Sequence, residues 1–521
     1  MMKDLTSSVY SFEDLIQGNF LYVDKTEYIW QLIRPAKGMY FLSRPRRFGK
    51  SLTLSTLKAV FEGKKELFKN LAIYDKQYDW NTYPVIHLDM ANCDIQTPEE
   101  LSGYLNDLLT NIASSFNLKL HGELLTTRFE NLITDIAKLG SLVILVDEYD
   151  KPILNNITNP KVKEILQVLK GFYSNIKKAG NDLRFAFITG VSKFCHVSLF
   201  SDLNNLTDIT MDARYATMLG YTQAEFESNF REQIDLVEKT QQLDHKDFLT
   251  EIKNWYDGYC FEESAESVYN PVSLACFFEK GGKFKNYWFE TGTPEFLMKL
   301  AKSRNFDFGS TLNEPVPGIA FSAFEIDNID PLTLLLQTGY VTIKGTVQNL
   351  GETWYKLDFP NKEVSSAFNA YLLNSYSGKT QSEGVKFTAE LAAALKNGNM
   401  KQLRKVMEVF FAGISYEVHH KNESNFQNIF FALFRLLGFY ITAESHTNDG
   451  RIDAVAETDK YVFIFEFKMD NDDSALSQIK DKKYYKKYEL SKKTILLNGV
   501  IFDTATGQIA DWQTEEVKAT G

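Results

Sequence analysis

The stretch GMYFLSRPRRFGKS, residues 38–51, decides the fold of the first part of the chain. Its first six residues predict a strand, and the residues from Ser51 to Glu62 predict a helix that is closed by Gly63. The loop between them follows the phosphate-binding pattern G-x-x-x-x-G-K-[S/T], except that Arg44 stands where the first glycine is usual. Backbone N–H groups at such a helix start surround phosphate oxygens. The stretch therefore predicts a nucleotide site.

An acidic stretch further along the chain fits the same kind of site. Residues 142–150 read LVILVDEYD, an apolar strand that ends in Asp147 and Glu148. Asp147 is placed to hold Mg²⁺ through water, and Glu148 is placed to polarise the attacking water. A buried strand followed by an acidic helix start is the ordinary alternative for this motif alone. The GKS loop upstream, in the chain order of P-loop proteins, favours the nucleotide site.

These two stretches predict which residues bind ATP and Mg²⁺. The loop lysine reaches the β- and γ-phosphates, and the hydroxyl that follows it ligates the metal ion. The predicted nucleotide-binding residues are Arg44, Arg47, Phe48, Gly49, Lys50, Ser51, Asp147 and Thr189. Ser51 and Asp147 are the predicted ligands of Mg²⁺ at this site.

Two further roles at the nucleotide site stay open in the sequence. Thr189 or Ser192, at the end of the next strand, is a candidate sensor of the γ-phosphate, and each is equally an ordinary turn residue. Arg46, Arg47 and Arg214 are candidates for neutralising γ-phosphate charge. The arginine can come from the same chain or from a second subunit of a homo-oligomer.

Apolar runs and helical stretches alternate from about Tyr22 to Met211. Strands are predicted at Gly38–Ser43, Pro84–Met90, Leu142–Val146 and Leu183–Ile188, with helices near Glu99–Ser115, Glu123–Leu139 and Lys161–Lys178. Continuous apolar strands that are separated by helices indicate a parallel sheet covered on both faces.

Composition excludes several classes of protein. The chain has 521 residues and a net charge of −11, which argues against coating of nucleic acid by the whole surface but not against a local basic site. No apolar run reaches the roughly 18 residues that a membrane span needs, and the first residues contain no apolar signal stretch. The four cysteines form no CxxC pair. We therefore expect a cytoplasmic protein without a membrane partner.

The length predicts roughly three domains. An α/β P-loop domain is expected over residues 1–214, and a helical lid or winged-helix-like region over residues 215–380. Within the middle region, Leu332–Gly345 followed by Thr353–Pro360 predicts a helix and a hairpin. A second α/β domain is expected over residues 381–521.

The last domain contains a second set of charged residues. Asp453 lies among apolar residues in the predicted strand Gly450–Ala456, and thirteen residues later the strand YVFIFEFKM carries Glu466 and Lys468. Strand alternation puts Glu466 and Lys468 on one face, and the Asp…Glu-x-Lys spacing is the PD-(D/E)XK arrangement. Asp453 and Glu466 are predicted to hold Mg²⁺, which generates a hydroxide nucleophile, while the lysine positions the water. An ion pair of Lys468 with a carboxylate is the structural alternative.

A helix predicted over Ser415–Leu437 adds a supporting residue. Glu423 precedes Phe426 and Phe430 by three and seven residues, so it falls on the buried face of this helix. A carboxylate on a buried face needs a partner or a metal ion. We therefore assign Glu423 a supporting role in the hydrolytic centre.

The chain resembles the AAA-ATPase-like proteins of bacteria along nearly its whole length. The motifs that carry the resemblance are YVDKT (22–26), RPRRFGKS (44–51), VDEYDKPI (146–153), FITGVSKF (187–194), WYDGYCF (255–261), VYNPVS (268–273) and YWFETGTPEFL (287–297). An arginine in place of the first loop glycine belongs to that family's version of the loop. The resemblance implies ATP binding and a C-terminal PD-(D/E)XK nuclease-like domain.

The helix after the Glu-x-Lys strand is predicted over Ser474–Lys487. Gln478, Lys482 and Tyr485 share one face of it, and the resemblance implies that Gln478 supports the metal site. Residues 480–493 hold seven lysines against Asp481 and Glu489, a basic stripe suited to phosphate backbones. Such a stripe, taken alone, is usually only a solvated face. The aromatic residues of 255–261 and Trp288 are predicted to pack domains and not to stack bases.

These observations predict an ATP-binding, ATP-hydrolysing protein whose C-terminal domain cleaves nucleic acid, with DNA favoured over RNA. The alternative is a nucleotide-operated switch or scaffold whose C-terminal domain binds nucleic acid or protein without cutting. A third possibility keeps the nuclease and gives the P-loop a structural role only.

Overall fold

The structure is a computed structural model. It describes residues 2–193, 199–200, 203, 205–289, 295–321, 329–414, 423–438, 442–448, 451–470, 475–489, 491–503, 506 and 508–517. The chain forms two compact units. Unit one is Met1–Gly292 with Pro317–Tyr355, and unit two is Thr293–Val316 with Lys356–Gly521. The region expected over 215–380 is divided between the two units, and the three-domain division stays a prediction.

The apolar runs of unit one form a five-stranded parallel sheet. Its strands are β1 (Gly38–Ser43), β2 (Val85–Asp89), β3 (Leu142–Asp147), β4 (Leu183–Gly190) and β5 (Thr207–Asp208). The order β2-β3-β4-β1-β5 places β4 between the strand that leads into the phosphate loop and the strand that ends in the acidic motif. The predicted parallel sheet is confirmed, and the carboxyl ends of β1, β3 and β4 meet at one edge.

Helices account for most of the rest of unit one. They are Phe12–Gln17, Thr26–Ile33, Lys50–Phe61, Pro98–Ser115, Leu125–Ala137, Lys151–Leu154, Val162–Tyr173, Asn175–Lys178, Gln223–Asn229, Arg231–Gln241, His245–Tyr256, Pro271–Glu279 and Pro331–Thr338. The helical stretch predicted near Lys161–Lys178 consists of two consecutive helices. Asn175 donates its side-chain N–H to the carbonyls of Gly171 and Phe172, which competes with regular helical hydrogen bonding.

The helices between residues 223 and 279 surround an aromatic core of their own. Its buried members include Phe226, Phe230, Tyr256, Phe277 and Tyr287. The predicted helix and hairpin follow this part of the chain. The helix Pro331–Thr338 ends at Gly339, and β7 (Thr342–Asn349) and β8 (Glu352–Asp358) form a three-stranded sheet with β6 (Val316–Pro317).

Unit two contains the second sheet, of order β13-β12-β11-β10-β9. Its strands are β9 (Thr442–Asn448), β10 (Arg451–Glu457), β11 (Tyr461–Met469), β12 (Thr494–Asp503) and β13 (Gln508–Val517). β11 and β12 are parallel, and the other neighbouring pairs are antiparallel. Together with the first sheet, this mixed sheet confirms the expected α/β class.

Helices cover both faces of the second sheet. The helices of unit two are Glu295–Ser303, Phe308–Asn313, Lys362–Ser377, Gln381–Lys396, Met400–Ala412, Glu423–Leu437 and Ala475–Lys482. On one face, Phe430 packs on Phe467 with ring centroids 4.2 Å apart. On the other face, Ile479 packs with Val462 and Ile464. No helix in the described ranges combines the length and apolar character that crossing a membrane requires.

Candidate functional site

The phosphate loop connects β1 directly to the helix that begins at Lys50. Gly49 precedes this helix with a φ of 91°, a left-handed conformation that glycine adopts without strain. The side chain that would normally cap the first helical N–H groups is missing at a glycine, so the N–H groups at the helix start are available to an anion. Ser51 is the second residue of the helix.

Lys50 is buried inside the loop. Its ammonium donates to the carbonyl oxygens of Arg44 and Pro45, each at 3.0 Å. Burial lowers the pKa of Lys50, and the nearby carboxylates of Asp147 and Asp150 oppose that effect. The lysine is therefore held in the loop and close to the acidic end of β3.

Thr189 links the end of β4 to the acidic motif. Its hydroxyl donates to Asp147 Oδ1 at 2.9 Å, and the backbone N–H of Glu148 donates to the same oxygen at 3.0 Å. Ser192 instead donates its hydroxyl to Asp150 Oδ2 at 2.8 Å. Of the two candidate sensors, Thr189 is the one that contacts the predicted ligand of Mg²⁺.

Glu148 follows the strand with a positive φ of 51°, which is uncommon for a residue with a side chain. Its side chain is 25% exposed, and its carboxylate lies 3.5 Å from the ammonium of Lys151. Asp147, in contrast, is 3% exposed. The two adjacent carboxylates therefore differ in access to water, as their different predicted roles require.

Asp150 is a residue of the site that sequence reasoning missed. It is completely buried and accepts hydrogen bonds from the backbone N–H groups of Val191 and Ser192 as well as from the serine hydroxyl. Burial raises its pKa, and these bonds and Lys50 oppose the rise. Its position in VDEYD was the available signal, since it is the third carboxylate of that motif.

Gly190 allows the segment that carries Asp150 to approach β4. A Cβ at this glycine would lie 2.5 Å from the ring of Tyr149 and 2.6 Å from Asp150 Oδ1. We expect Gly190→Ala to lower the free energy of unfolding by about 1–3 kcal/mol, because a buried methyl group has no space there. Chemical denaturation measures this loss.

Gly103→Ala is the matched control for that substitution. A Cβ at Gly103 meets nothing within 4 Å, and the residue lies inside the helix Pro98–Ser115. Alanine there is expected to leave stability unchanged or to raise it by about 0.5–1 kcal/mol. Equal stability of Gly190→Ala and wild type would contradict the close approach.

The side chain of Arg44 does not enter the loop that it begins. It is 1% exposed, and its guanidinium donates to the carbonyls of Ser43, Thr210 and Tyr215 at 2.9, 2.7 and 3.3 Å. The guanidinium carbon lies 4.2 Å from the ring centroid of Phe261. Burial lowers the pKa of Arg44 to about 9. Arg44 therefore anchors the loop from behind, and a direct side-chain contact with nucleotide stays a prediction.

The other predicted loop residues are placed differently from one another. Phe48 is 1% exposed and packs edge-on against Tyr259 and Phe261, with ring centroids 4.8 and 5.3 Å away. Arg47 has a φ of 69° and donates to the hydroxyl of Tyr10 at 3.1 Å. The predicted packing role of the aromatic residues in 255–261 is confirmed by these contacts.

Two of the three arginines proposed to neutralise phosphate charge, Arg46 and Arg214, are exposed, and Arg47 is half-buried. Arg46 is exposed, and the side chain of Arg214 is 70% exposed and paired with Asp212 at 2.5 Å. The hydrogen bond to Asp212 raises the pKa of Arg214. The arrangement leaves the choice among these arginines open.

The YVDKT motif is structural in the described part of the chain. Asp24 accepts hydrogen bonds from the backbone N–H groups of Thr26 and Ala72, at 2.8 and 2.7 Å. Lys25 forms an ion pair with Glu225 at 2.6 Å. These contacts join distant parts of unit one and do not involve the phosphate loop.

The second candidate site lies on the sheet of unit two. β10 pairs antiparallel with β11, as predicted, and Asp453 is directly across from Glu466 in the register. Glu466 is completely buried and Lys468 is 7% exposed. Strand alternation puts both on the face that carries Val462 and Ile464.

The helix Ala475–Lys482 covers this same face. Gly499 is the partner of Glu466 on β12, and a Cβ at this glycine would lie 2.6 Å from the backbone nitrogen of Leu476. The helix therefore approaches the sheet closely beside Glu466. Gln478 lies on this helix, and its side-chain nitrogen is buried without a hydrogen-bond partner among the described residues. The helix that carries Gln478 therefore lies on the side of the sheet that carries Glu466 and Lys468, and its supporting role stays a prediction.

Two predicted residues of this site are described only in part. Asp453 and Glu423 are placed by their backbones, in β10 and at the start of the helix Glu423–Leu437, and their side chains lie outside the described residues. Residues 415–422, the first part of the helix predicted over Ser415–Leu437, lie outside them as well. Among the residues that are described, no group of three His, Cys, Asp or Glu side chains is arranged to hold a metal ion.

The basic stripe is partly neutralised. Lys480 forms an ion pair with Glu515, and Lys493 pairs with Glu457 at 2.7 Å. Tyr485 and Tyr488 pack against the cluster around Ile464, so these tyrosines support the core and are not a stacking platform. Lys482, Lys483, Lys486 and Lys492 are exposed.

Known proteins resemble the chain in both units. A family profile described as a predicted AAA-ATPase, of the AAA-ATPase-like type, matches residues 7–200. A profile of the PD-(D/E)XK nuclease superfamily matches residues 421–512. A protein of Azotobacter chroococcum mcd 1, described as an uncharacterized protein in vnfD 5'region, is 36% identical over 530 residues, which cover 99% of each chain.

Proposed function

The chain belongs to the AAA-ATPase-like family with a C-terminal PD-(D/E)XK nuclease-superfamily domain, and on that premise we propose that it hydrolyses ATP and cleaves nucleic acid with Mg²⁺. The observation that carries the ATPase half is the Thr189–Asp147 hydrogen bond beside the loop that holds Lys50. The observation that carries the nuclease half is the register of Asp453 with Glu466 on the face of Lys468.

The residues of unit one fit ATP with Mg²⁺. The N–H groups at the start of the helix Lys50–Phe61 and the ammonium of Lys50 would bind phosphate oxygens. The hydroxyl of Ser51 and the carboxylate of Asp147 would hold Mg²⁺, which neutralises charge on the phosphates when it is bound. Thr189 orients Asp147 through its hydrogen bond. Glu148, with its more exposed carboxylate, orients the attacking water and accepts its proton.

Glu148→Gln is expected to bind ATP as wild type does and to lose turnover by about a hundredfold or more, because a positioned general base contributes roughly 10²–10⁴ in rate. Steady-state phosphate release and equilibrium nucleotide binding measure the two effects. The control is Glu164→Gln, an exposed substitution in the helix Val162–Tyr173, which should keep both nucleotide binding and turnover at the wild-type level. Full turnover by Glu148→Gln would remove Glu148 from the mechanism.

The residues of unit two fit a metal-dependent hydrolytic centre. Glu466 and Lys468 are charged residues in a buried strand, and burial of charge is costly unless it is compensated. Positions directly across an antiparallel pair share a face, which brings Asp453 to the side of Glu466. The two carboxylates would hold Mg²⁺, which activates water and stabilises charge on the phosphate when it is bound. Lys468 positions the water, and Gln478 and Glu423 support the centre.

The proposed substrate is nucleic acid, with DNA favoured over RNA. The exposed Lys482 ends the helix over Glu466, and the exposed lysines 483, 486 and 492 lie on the segment that follows it. We propose that these four lysines contact a phosphate backbone. Such contacts make binding weaker as salt rises. A homo-oligomer that supplies an arginine to the phosphate loop, and a cytoplasmic location, are part of the same proposal.

A second function is favoured by one observation. Glu466 and Lys468 lie two residues apart on one buried face, so an ion pair between a carboxylate and this lysine is also compatible with their burial. In that case the protein is a nucleotide-operated switch or scaffold that binds nucleic acid or protein without cutting. Mg²⁺-dependent nicking of plasmid DNA by the purified protein separates the two functions.

A further inference from the structure

The phosphate loop is contacted by later parts of unit one. Three segments contact it: the turn 259–261, the residue Trp288 and the helix end at Gly339. They are 200 or more residues away from the loop in sequence. The turn and Trp288 belong to the motifs WYDGYCF (255–261) and YWFETGTPEFL (287–297), which have no role in the proposed nucleotide chemistry. We call these residues, Tyr259, Phe261, Trp288 and Gly339, the loop clamp.

The clamp contacts the backbone of the loop. Trp288 donates its indole N–H to the carbonyl oxygen of Arg46 at 3.1 Å, and the side chain is 6% exposed. The indole also packs edge-on against Tyr340, with ring centroids 5.2 Å apart. A tryptophan that is fixed by packing presents its N–H in one direction, so it fixes the peptide group after Arg46.

The clamp also contacts the side chains of the loop. Phe48 packs against Tyr259 and Phe261, and Phe261 lies over the guanidinium of Arg44. Gly339 lies against Pro45, because a Cβ at this glycine would be 2.6 Å from Pro45 Cγ. Loop residues 44–46 and 48 are therefore each touched by one or more clamp residues.

The inner side of the same loop holds Lys50. The lysine donates to the carbonyls of Arg44 and Pro45, the two residues that also contact Phe261 and Gly339. A lysine that binds β- and γ-phosphates must redirect some of these hydrogen bonds. A cavity of about 50 Å³ lies beside the loop and is lined by residues of both the loop and the clamp, among them Arg44, Pro45, Phe261 and Gly339.

We propose that the loop clamp positions the phosphate loop for nucleotide, in the place of the missing first glycine. In the usual loop that glycine makes the tight turn, whereas here Arg44 occupies its position and the left-handed residues of the loop are Arg47, with a φ of 69°, and Gly49, with a φ of 91°. The shape of the loop is fixed instead by distant residues of unit one, namely by Trp288 on the backbone and by Gly339 and Phe261 on the side chains. The clamp residues are positioning residues, and this proposal rests on ATP binding by the loop.

Trp288→Phe tests the clamp with a small change. It removes the indole N–H and keeps an aromatic ring against Tyr340. We expect ATP affinity to fall about fivefold to tenfold, the effect of one lost hydrogen bond, while the thermal midpoint without nucleotide stays close to wild type. Amide hydrogen exchange of loop residues 44 and 46–50 in the nucleotide-free protein should become faster.

Trp255→Phe is the matched control. This tryptophan also donates its indole N–H once, to Glu251 at 2.9 Å, and packs against Phe284, within the aromatic core of the middle helices. The substitution Trp255→Phe should change neither the ATP affinity nor the amide hydrogen exchange of the phosphate loop. Gly339→Ala, which forces a methyl group onto Pro45, should weaken ATP binding more than Trp288→Phe, whereas Gly345→Ala, where a Cβ meets nothing within 4 Å, should not.

The two readouts separate failure of the clamp from failure of the nucleotide site. If amide hydrogen exchange of the loop is unchanged in Trp288→Phe, the proposed role of the clamp is wrong, whatever the ATP affinity of this variant. Faster loop exchange with wild-type ATP affinity also overturns it, because the loop would then not need positioning. If wild type binds no ATP–Mg²⁺, the proposed ATPase fails and the clamp, as a device for nucleotide, fails with it. Faster exchange together with weaker binding supports it.

Discussion

Lys50→Ala is expected to abolish ATP binding. The ammonium of Lys50 lies inside the phosphate loop on the carbonyls of Arg44 and Pro45, and it is the buried cation of the site that nucleotide phosphates would meet. Charge-assisted hydrogen bonds contribute about 1.5–3 kcal/mol each. Losing two such bonds from Lys50 to phosphate oxygens should therefore weaken ATP binding by at least roughly a hundredfold. Equilibrium titration with ATP and Mg²⁺ measures the change.

Lys58→Ala is the control for that experiment. Lys58 lies in the same helix, Lys50–Phe61, with a 44% exposed side chain that pairs with Glu62 at 3.8 Å. An exposed pair of this kind contributes little, so ATP affinity and stability should stay near wild type. Wild-type ATP affinity in Lys50→Ala would show that the nucleotide site is assigned to the wrong residues.

Asp453→Asn and Glu466→Gln are each expected to abolish nucleic-acid cleavage and to weaken Mg²⁺ binding. Each removes the carboxylate of one of two residues that are register partners across β10 and β11. Metal-assisted activation of water supplies several kcal/mol of transition-state stabilisation, so the rate of cleavage should fall roughly a thousandfold or more. Plasmid nicking and metal titration of the full chain measure the two losses, and ATP turnover of both variants should stay near wild type.

The control for the nuclease site is Asp459→Asn. Asp459 lies in the exposed turn between the same two strands, only a few residues from both carboxylates. It should cut as fast as wild type. Cleavage of DNA and RNA at the wild-type rate by Asp453→Asn would contradict the catalytic assignment and favour the switch.

Local patterns made the strands of unit one predictable. The predicted strand at Gly38–Ser43 is found with the same bounds, and those at Leu142–Val146 and Leu183–Ile188 differ only at their ends. Continuous apolar runs determine such strands because both faces of a parallel sheet are buried. The turn between β10 and β11 likewise fixed the pairing of Asp453 with Glu466, since a short connection allows only an antiparallel partner.

Contacts between distant residues were not predictable from spacing. The guanidinium of Arg44 turns to the carbonyls of Thr210 and Tyr215, and Trp288 reaches the carbonyl of Arg46 across more than 200 residues. A backbone carbonyl has no sequence signature, so a motif predicts that a residue matters without saying what it touches. The role of Asp150 was not predictable for the same reason, because its partners include the backbone N–H groups of Val191 and Ser192.

The stripe around Tyr485 illustrates the limit in unit two. Alternating lysines and tyrosines in sequence are compatible with stacking on bases and equally with packing on a core. The structure packs Tyr485 and Tyr488 against the cluster around Ile464. Only the fold decides which side of a short helical segment is buried.

Plasmid nicking by the purified full chain tests the central claim most directly. Supercoiled DNA is incubated with Mg²⁺ or with a chelator, each with and without ATP, and phosphate release is followed in the same samples. We predict ATP turnover and nicking that both require Mg²⁺, with nicking lost in Glu466→Gln while turnover persists. The proposed cleavage of nucleic acid would be contradicted if protein that binds ATP cut neither DNA nor RNA under any nucleotide and metal condition.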